Sequence, residues 1–343
     1  MIKVEGLTKR YARFLAVDRI SFEVGKGQIV GFLGPNGAGK TTTMRMLTCF
    51  LPPSDGIAEV AGFDVVKHPM EVKRRIGYLP ETPPLYPEME VFDYLYFVGK
   101  LKGVPSADLP GRIKEVAERC AVFDVGTKLI AKLSKGYRQR VGLAQAIIHN
   151  PDVLILDEPT SGLDPKQIME TRDLIKGLAG DHTIILSTHI LPEVEQTCER
   201  AVIIARGKVV ATDTVANLKS KRGVGAGVLI EVESRSGPLS AGAARERLER
   251  VDGVSKVSVR DSGESSARYE VEGRPVRGDL ARAIVEGGWN LNELHRLDLS
   301  LEEVFLELTG GDKAAAAAVS ESAAAPNEET AESSAESSTE EAQ

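Results

Sequence analysis

The sequence predicts an α/β fold in which a mainly parallel sheet is covered by helices on both faces. Three short apolar runs, at residues 29–33, 153–156 and 183–187, have the composition of strands that are buried on both sides. Helical patterns separate these runs within residues 1–222, and the pattern is mainly helical between residues 88 and 150. With 343 residues, of which 42% are hydrophobic, we expect one large core and a second domain.

Shorter strands flank this predicted core. Apolar and polar residues alternate at residues 2–4 and 21–24, which predicts half-buried strands. Residues 201–205 and 208–211 flank an Arg-Gly pair, which predicts a hairpin.

The first buried run leads into a glycine-rich loop that fits the phosphate-loop pattern G-x-x-x-x-G-K-[ST]. The loop consists of Gly34, Pro35, Asn36, Gly37, Ala38, Gly39, Lys40 and Thr41. Glycines let successive N–H groups point inward at phosphate oxygens, and the helix predicted at residues 42–47 adds its positive dipole end. Lys40 supplies a charge for the outer phosphates, and the Thr41 hydroxyl can bind magnesium. A turn without function is the weaker reading, because strand, loop and helix occur in this order.

Two acids follow the second buried run. Asp157 and Glu158 stand at the carboxyl end of that strand, which is the edge where doubly wound sheets bind ligands and where the phosphate loop lies. Asp157 would hold magnesium directly or through water, and Glu158 could polarise a water for attack on the γ-phosphate. Solvated acids at a capped strand end are the alternative, but residues 159–164 predict a structured turn there. His189 follows the next strand and could donate to the γ-phosphate or to the water, although a lone histidine is more often structural.

A second anion site is predicted at residues 133–140, which read LSKGYRQR and open a helix. Ser134 is a good N-cap, and a helix N-terminus next to a glycine attracts anions. The phosphate loop is already complete, so one chain carries two half-sites for one nucleotide. This predicts a head-to-tail dimer in which each copy closes the site of the other. A plain capped helix remains the alternative at this point.

Two further regions follow. The second region, residues 227–308, is predicted as a βαββαβ unit of the ferredoxin-like type, followed by one more helix, and it shows no catalytic constellation. Its strands are predicted at 228–233, 255–260, 267–271 and 291–296, and its helices at 241–251, 278–286 and 300–308. Residues 312–343 are rich in Ala, Ser and Glu and predict a disordered tail.

Charge and composition exclude several classes of protein. The tail carries eight acidic residues and one lysine, which accounts for the whole net charge of −7, so no basic excess points to nucleic acid. No stretch reaches the roughly 18 apolar residues of a membrane-spanning helix, and the first residues lack the apolar core of a secretory signal. The three cysteines are scattered, which favours reduced thiols in the cytoplasm over disulfides or a zinc site.

Taken together, these motifs resemble the ATP-binding subunit of ABC transporters. The resemblance covers residues 1–222 and rests on the phosphate loop, on LSKGY at 133–137, on LDEPTSGLD at 156–164, and on His189. It implies a P-loop NTPase core of the ABC ATPase type, with an antiparallel β subdomain and a helical subdomain, that uses ATP and Mg²⁺. It also implies a homodimer or a paired ATPase subunit, bound to membrane-spanning permease subunits at the inner face of the cell membrane.

The resemblance assigns a role to individual residues. It gives Tyr11 to adenine stacking and Asp164 to the loop that links the two sites of a dimer. Asp157 becomes the magnesium carboxylate, Glu158 the catalytic base and His189 the switch histidine. Phosphate binding falls to Gly37, Gly39, Lys40, Thr41 and Thr42, and the signature that acts on the partner's nucleotide to Ser134 and Gly136.

Two positions depart from the family pattern. Glu81 stands where the family usually has Gln; a carboxylate can still bind magnesium, but it brings negative charge near the phosphates, so we expect an altered metal dependence. Lys135 stands where the signature usually has Gly, and we favour a solvated side chain over one that attracts the γ-phosphate. Residues 76–86 and 300–305 resemble the type 2 exporter subfamily, whose ATPases carry a small C-terminal accessory domain and serve multidrug, polysaccharide and gliding-motility systems.

These features favour an ATPase subunit that has no pore of its own and powers an exporter. A soluble ABC ATPase of translation or DNA repair is the alternative, but such proteins usually carry two cassettes, a long coiled coil or a zinc insertion. A nucleotide switch that hardly hydrolyses ATP is disfavoured because Glu158 and His189 are both present.

Overall fold

The computed structural model describes residues 1–220, 227–235, 237–273, 276–296 and 301–309. The tail predicted for residues 312–343 lies outside the described residues. Within the described ranges, no helix combines the length and the apolar character that crossing a membrane requires.

A six-stranded sheet forms the centre of the molecule, in the order β10-β9-β3-β8-β7-β6. Its strands are β3 Ile29–Leu33, β6 Ile76–Leu79, β7 Val153–Asp157, β8 Thr183–Thr188, β9 Arg200–Ala205 and β10 Lys208–Thr214. All neighbours pair in parallel except β9 and β10, which form the predicted hairpin. Every residue of β3, β7 and β8 is buried, which explains their continuous apolar runs and confirms the parallel-sheet prediction.

An antiparallel sheet lies beside the central one, in the order β2-β1-β4-β5. Its strands are β1 Ile2–Tyr11, β2 Phe14–Val24, β4 Asp55–Val60 and β5 Phe63–Asp64. Helix α1, Lys40–Leu47, packs between the two sheets, where Met44 and Leu47 contribute to a core shared with Phe22 and Phe32. This core fixes the start of α1, and with it the phosphate loop, against the edge of the central sheet.

Helices fill the remainder of the first 220 residues. They are α2 Pro69–Arg75, α3 Val91–Leu101, α4 Leu109–Arg119, α5 Lys135–Ile147, α6 Pro165–Gly177, α7 Leu191–Thr197 and α8 Val215–Ser220. The apolar faces of α3, α4 and α5 pack together, with Leu95, Val116 and Ile147 fully buried. These three helices form the predicted helical subdomain, which joins the central sheet through β6 and β7.

A third sheet is built from the region after residue 227, in the order β12-β13-β11-β14, and all its pairs are antiparallel. Its elements are β11 Val228–Ser234, α9 Ala241–Glu249, β12 Val254–Ser262, β13 Ser266–Gly273, α10 Arg277–Glu286 and β14 Trp289–Arg296. Apolar residues of the two helices, such as Leu248 and Leu280, pack on Ile230 and Tyr269 of the sheet. This order of elements matches the predicted βαββαβ unit. Exposed ion pairs cover the other face, among them Arg268–Glu231.

The last helix, α11 Leu301–Thr309, packs on the first 220 residues. Leu301 and Phe305 are buried in the same core as Val194 and Leu218. The backbone N–H of Leu301 donates to Glu195 of α7 at 2.9 Å. The chain therefore returns to the central fold after β14, although the sequence grouped this helix with residues 227–308.

Candidate active site

The functional side chains gather where β3, β7 and β8 end. These strands are parallel neighbours in the sheet, so the loops that follow them lie side by side. They surround a cavity of about 360 Å³. The cavity is lined by Phe14, Ala16, Pro35, Asn36, Gly37, Gly39, Lys40, Thr41, Thr42, Glu81, Glu158, Ser161 and His189.

The phosphate loop has the backbone that its sequence predicts. Gly37 has a φ of 77° and Gly39 a φ of 105°, backbone angles that residues with a side chain rarely adopt. A Cβ at Gly39 would also lie 2.7 Å from the carbonyl oxygen of Ala16, so this position requires glycine. Gly34 and Ala38 are buried against the core and do not line the cavity.

Lys40 begins α1 and is 6% exposed. Its Nζ donates to the carbonyl oxygen of Gly34 at 2.8 Å and forms an ion pair with Glu158 Oε1 at 3.2 Å. A buried ammonium group with few anionic partners is suited to phosphate oxygens.

Glu158 and His189 form a pair at the cavity wall. Glu158 Oε2 and His189 Nδ1 lie 2.8 Å apart. Burial acts to raise the pKa of Glu158, but His189 and Lys40 outweigh it, and the pKa is lowered. The hydrogen bond with Glu158 raises the pKa of His189 above its ordinary value. Glu158 is therefore ionised near neutral pH, as a general base must be.

Glu158 also has an unusual backbone, with a φ of 48°. Its N–H donates to the carbonyl oxygen of Ser187 at 3.0 Å, which ties the end of β7 to β8. A non-glycine residue in this region costs about 1–3 kcal/mol and persists only where its surroundings hold it.

Asp157 and Thr41 supply oxygen atoms for a metal ion. Thr41 Oγ1 lies 3.4 Å from Asp157 Oδ1, and the Ser187 hydroxyl also donates to this carboxylate. The pKa of Asp157 is raised above its ordinary value, because the effect of burial exceeds that of these two hydroxyls, which lower the pKa. Among the described residues, no three His, Cys, Asp or Glu side chains cluster as a metal site. A hydroxyl and one or two carboxylates fit Mg²⁺, which usually takes its other ligands from phosphates and water.

Glu81, the carboxylate that replaces the usual glutamine, lies at the cavity. Its Oε1 accepts a hydrogen bond from Ser161 Oγ at 3.4 Å. The sequence identified Glu81 but not Ser161. This hydrogen bond connects the loop after β6 with the loop after β7, so a displacement of one loop would alter the contact with the other.

The aromatic residue at the cavity differs from the predicted one. Phe14 lines the cavity, whereas Tyr11 does not. The two residues pair across the turn between β1 and β2, and Tyr11 is 43% exposed, with Lys9 Nζ 5.4 Å from its ring centre. The sequence could have indicated Phe14, because it is a second aromatic residue on the same turn as Tyr11. The adenine role of Tyr11 remains a prediction.

Three predicted residues lie away from the cavity. Ser134 caps α5 by accepting from the backbone N–H of Tyr137 at 3.3 Å. Asp164 caps α6 by accepting from the N–H of Gln167 at 2.9 Å. Gly136 is buried next to Gln167, where a Cβ would lie 2.6 Å from that side chain. None of the three lines the cavity, so one chain does not bring its signature to its own phosphate loop.

Lys135, the other departure from the family pattern, is exposed, as expected. Its amino group lies against Gly162 in the loop before α6.

Comparisons with known proteins agree with this arrangement. Residues 17–161 match the family model described as ABC transporter. The chain is 36% identical over 314 residues to daunorubicin resistance ATP-binding protein DrrA3 of Streptomyces coeruleorubidus, an alignment that covers 91% of this chain and 96% of that protein. It is 35% identical over 313 residues to bacitracin transport ATP-binding protein BcrA of Bacillus licheniformis, covering 91% and 98%.

Solved structures match the first part of the chain. A structure of the ATP-binding subunit of an ABC transporter superposes with a TM-score of 0.60 at 29% identity and covers 65% of this chain and 93% of that chain. The dimeric post-hydrolysis structure of the ATP-binding cassette MJ0796, bound to ADP and Pi, superposes with a TM-score of 0.58 at 22% identity and covers 63% and 99%. At that identity, the second likeness shows the fold alone.

Proposed function

The chain belongs to the ATP-binding proteins of ABC transporters, and we propose that it is the subunit whose ATP hydrolysis drives an exporter. The observation that carries the proposal is the cavity where Lys40, Glu158 and His189 meet. It offers a phosphate-binding cation, an ionised base and a hydrogen-bonding histidine at one edge of the sheet.

The chemistry follows from these side chains. The triphosphate would replace Glu158 as the anionic partner of Lys40, which leaves the carboxylate free to accept a proton from the attacking water. His189, bonded to Glu158, holds the base in place and can donate toward the γ-phosphate. Thr41 and Asp157 would hold Mg²⁺, which neutralises charge on the phosphates when it is bound.

We further propose that two copies assemble head to tail. The cavity lacks Ser134, Gly136 and Asp164 of its own chain. In the described part of the chain, the start of α5 is capped by one side-chain hydrogen bond, which the backbone N–H of Tyr137 donates to Ser134. A helix N-terminus carries further N–H groups that can bind an anion. In a head-to-tail pair, the N-terminus of α5 would meet the γ-phosphate bound by the partner.

The export role is supported by the relatives. Two of them are named for daunorubicin resistance and bacitracin transport, and both align over about nine tenths of this chain, including the region after residue 227. We propose that the ATPase binds permease subunits at the inner face of the cell membrane, and that neither DNA nor RNA is its partner.

The dimer is tested by a disulfide between copies. Asn36 is exposed at the cavity and Ser134 is exposed at the start of α5. A chain with Asn36→Cys and Ser134→Cys should form a covalent dimer under mild oxidation when ATP and magnesium are present. Asn36→Cys with Asn150→Cys is the matched control, since Asn150 lies beyond the other end of α5. If the first pair forms no more dimer than the control, the head-to-tail assembly is wrong.

The permease is tested by affinity purification of the tagged chain from detergent-solubilised native membranes. We expect a protein with several membrane spans to copurify and to change the rate of ATP hydrolysis. Copurification of ribosomes or DNA in its place would contradict the export role.

A further inference from the structure

A buried acid lies behind the catalytic pair. Glu193 stands in the first turn of α7, four residues after His189, and is 3% exposed. Carboxylates are almost never so fully buried unless they are paired. The known roles of the site do not use this residue, so its burial calls for an explanation.

One oxygen of Glu193 holds the loop that carries His189. Thr188 Oγ1 donates to Glu193 Oε2 at 3.0 Å, and the same hydroxyl accepts from the backbone N–H of Ile190 at 3.0 Å. Thr188 directly precedes His189, so these two bonds fix the backbone on both sides of the histidine.

The other oxygen faces the loop that carries Glu158. Glu193 Oε1 and Thr160 Oγ1 are both buried, and neither has a hydrogen-bond partner in the described part of the chain. The pKa of Glu193 is raised above its ordinary value, because the effect of burial exceeds that of the Thr160 and Thr188 hydroxyls, which lower the pKa. Thr160 lies two residues after Glu158, in the turn that follows this left-handed residue.

We propose that Glu193 is a positioning residue for ATP hydrolysis: its carboxyl group accepts from the Thr188 hydroxyl, lies next to the Thr160 hydroxyl, and so sets the distance between Glu158 and His189. The inference rests on the proposed roles of that pair. The 2.8 Å contact between the two side chains joins the loop after β7 to the loop after β8. An error of about 1 Å in such a contact can cost about 100-fold in rate.

The test compares kcat and KM for ATP in purified Glu193→Ala and Glu193→Gln. We expect Glu193→Ala to lower kcat by about 10- to 100-fold. KM should change little, because Glu193 does not line the cavity that would hold the nucleotide. Glu193→Gln should restore most of kcat, because its amide can accept from one hydroxyl and donate to the other.

Thr197→Val is the matched control. Thr197 is buried at the end of the same helix, and its hydroxyl has no hydrogen-bond partner in the described part of the chain, so it reports the cost of disturbing α7 alone. Thr188→Val removes the hydroxyl that donates to Glu193, and Thr160→Val removes the buried hydroxyl next to the other carboxylate oxygen. Both variants keep the proposal testable if Glu193→Ala fails to fold. Each threonine variant should lower kcat, as Glu193→Ala does.

Three outcomes would overturn the proposal: Glu193→Ala with the kcat of Thr197→Val, Glu193→Gln no better than Glu193→Ala, or full kcat in both threonine variants. Glu158→Gln is measured in parallel. If it abolishes hydrolysis while Glu193→Ala keeps the kcat of Thr197→Val, the positioning role fails and the proposed function stands. If Glu158→Gln hydrolyses ATP normally, the proposed function itself fails.

Discussion

Replacement of Glu158 by glutamine separates catalysis from binding. The carboxylate lies 3.2 Å from Lys40 Nζ and 2.8 Å from His189 Nδ1, and an amide has the same shape but cannot take a proton from water. Loss of a positioned general base costs about 100- to 10,000-fold in rate. At 1.36 kcal/mol for each factor of ten, the activation free energy should rise by about 2.7 to 5.4 kcal/mol.

ATP binding should survive the same substitution. Lys40 keeps its bond to the Gly34 carbonyl and loses its competing anion, so the affinity for ATP should be unchanged or higher. Because ATP then persists in the site, the closed dimer should accumulate. Phosphate release measures the first effect, and analytical ultracentrifugation with ATP or ADP measures the second.

The control is Glu118→Gln, an exposed acid on α4 that pairs with Lys114 outside the cavity. It should behave as the wild type in both assays. A Glu158→Gln protein that keeps more than about a tenth of the wild-type kcat would place the base elsewhere. A Glu158→Gln protein that stays monomeric with ATP and magnesium would contradict the proposed head-to-tail dimer.

Four more substitutions test the site. Glu81→Gln removes a negative charge from the cavity and should tighten ATP binding in the presence of EDTA, measured by calorimetry; an unchanged affinity refutes this role. For His189→Asn, the loss of thermal stability relative to the wild type should be largest below about pH 6.5 and should shrink as the pH rises through the raised pKa of the histidine, because the charged form provides the stabilisation. Gly39→Ala should cost about 1–3 kcal/mol and weaken ATP binding, since its Cβ would meet the Ala16 carbonyl; Gly37→Ala, with open space around it, should cost only the backbone strain.

The parts of the fold that local pattern determines could be predicted. The buried strands before Gly34 and Asp157 were continuous apolar runs, and parallel strands bring their carboxyl ends to one edge. For the same reason Lys40, Glu158 and His189 could be placed together without knowledge of distances.

Contacts between distant elements could not be predicted. Phe14 lies at the cavity, at the turn between β1 and β2, and these strands pair with an irregular register that no alternation pattern encodes. Glu193 looked like an ordinary acid in the first turn of a helix, and only the packing of α7 buries it. Leu301 belongs to an amphipathic helix, but the periodicity of a helix does not say which core its apolar face joins.

The N–H groups at the start of α5 can supply the free energy that closes a head-to-tail dimer on ATP. To shift a pair of copies from mostly open to mostly closed takes about 5.5 kcal/mol, or about 2.8 kcal/mol for each of two sites. A hydrogen bond to a charged group contributes about 1.5–3 kcal/mol, so one or two bonds from the start of α5 to the γ-phosphate would be enough at each site. ADP has no γ-phosphate and would not accept these hydrogen bonds. The α5 N-terminus that would close the dimer on ATP would therefore release it after hydrolysis.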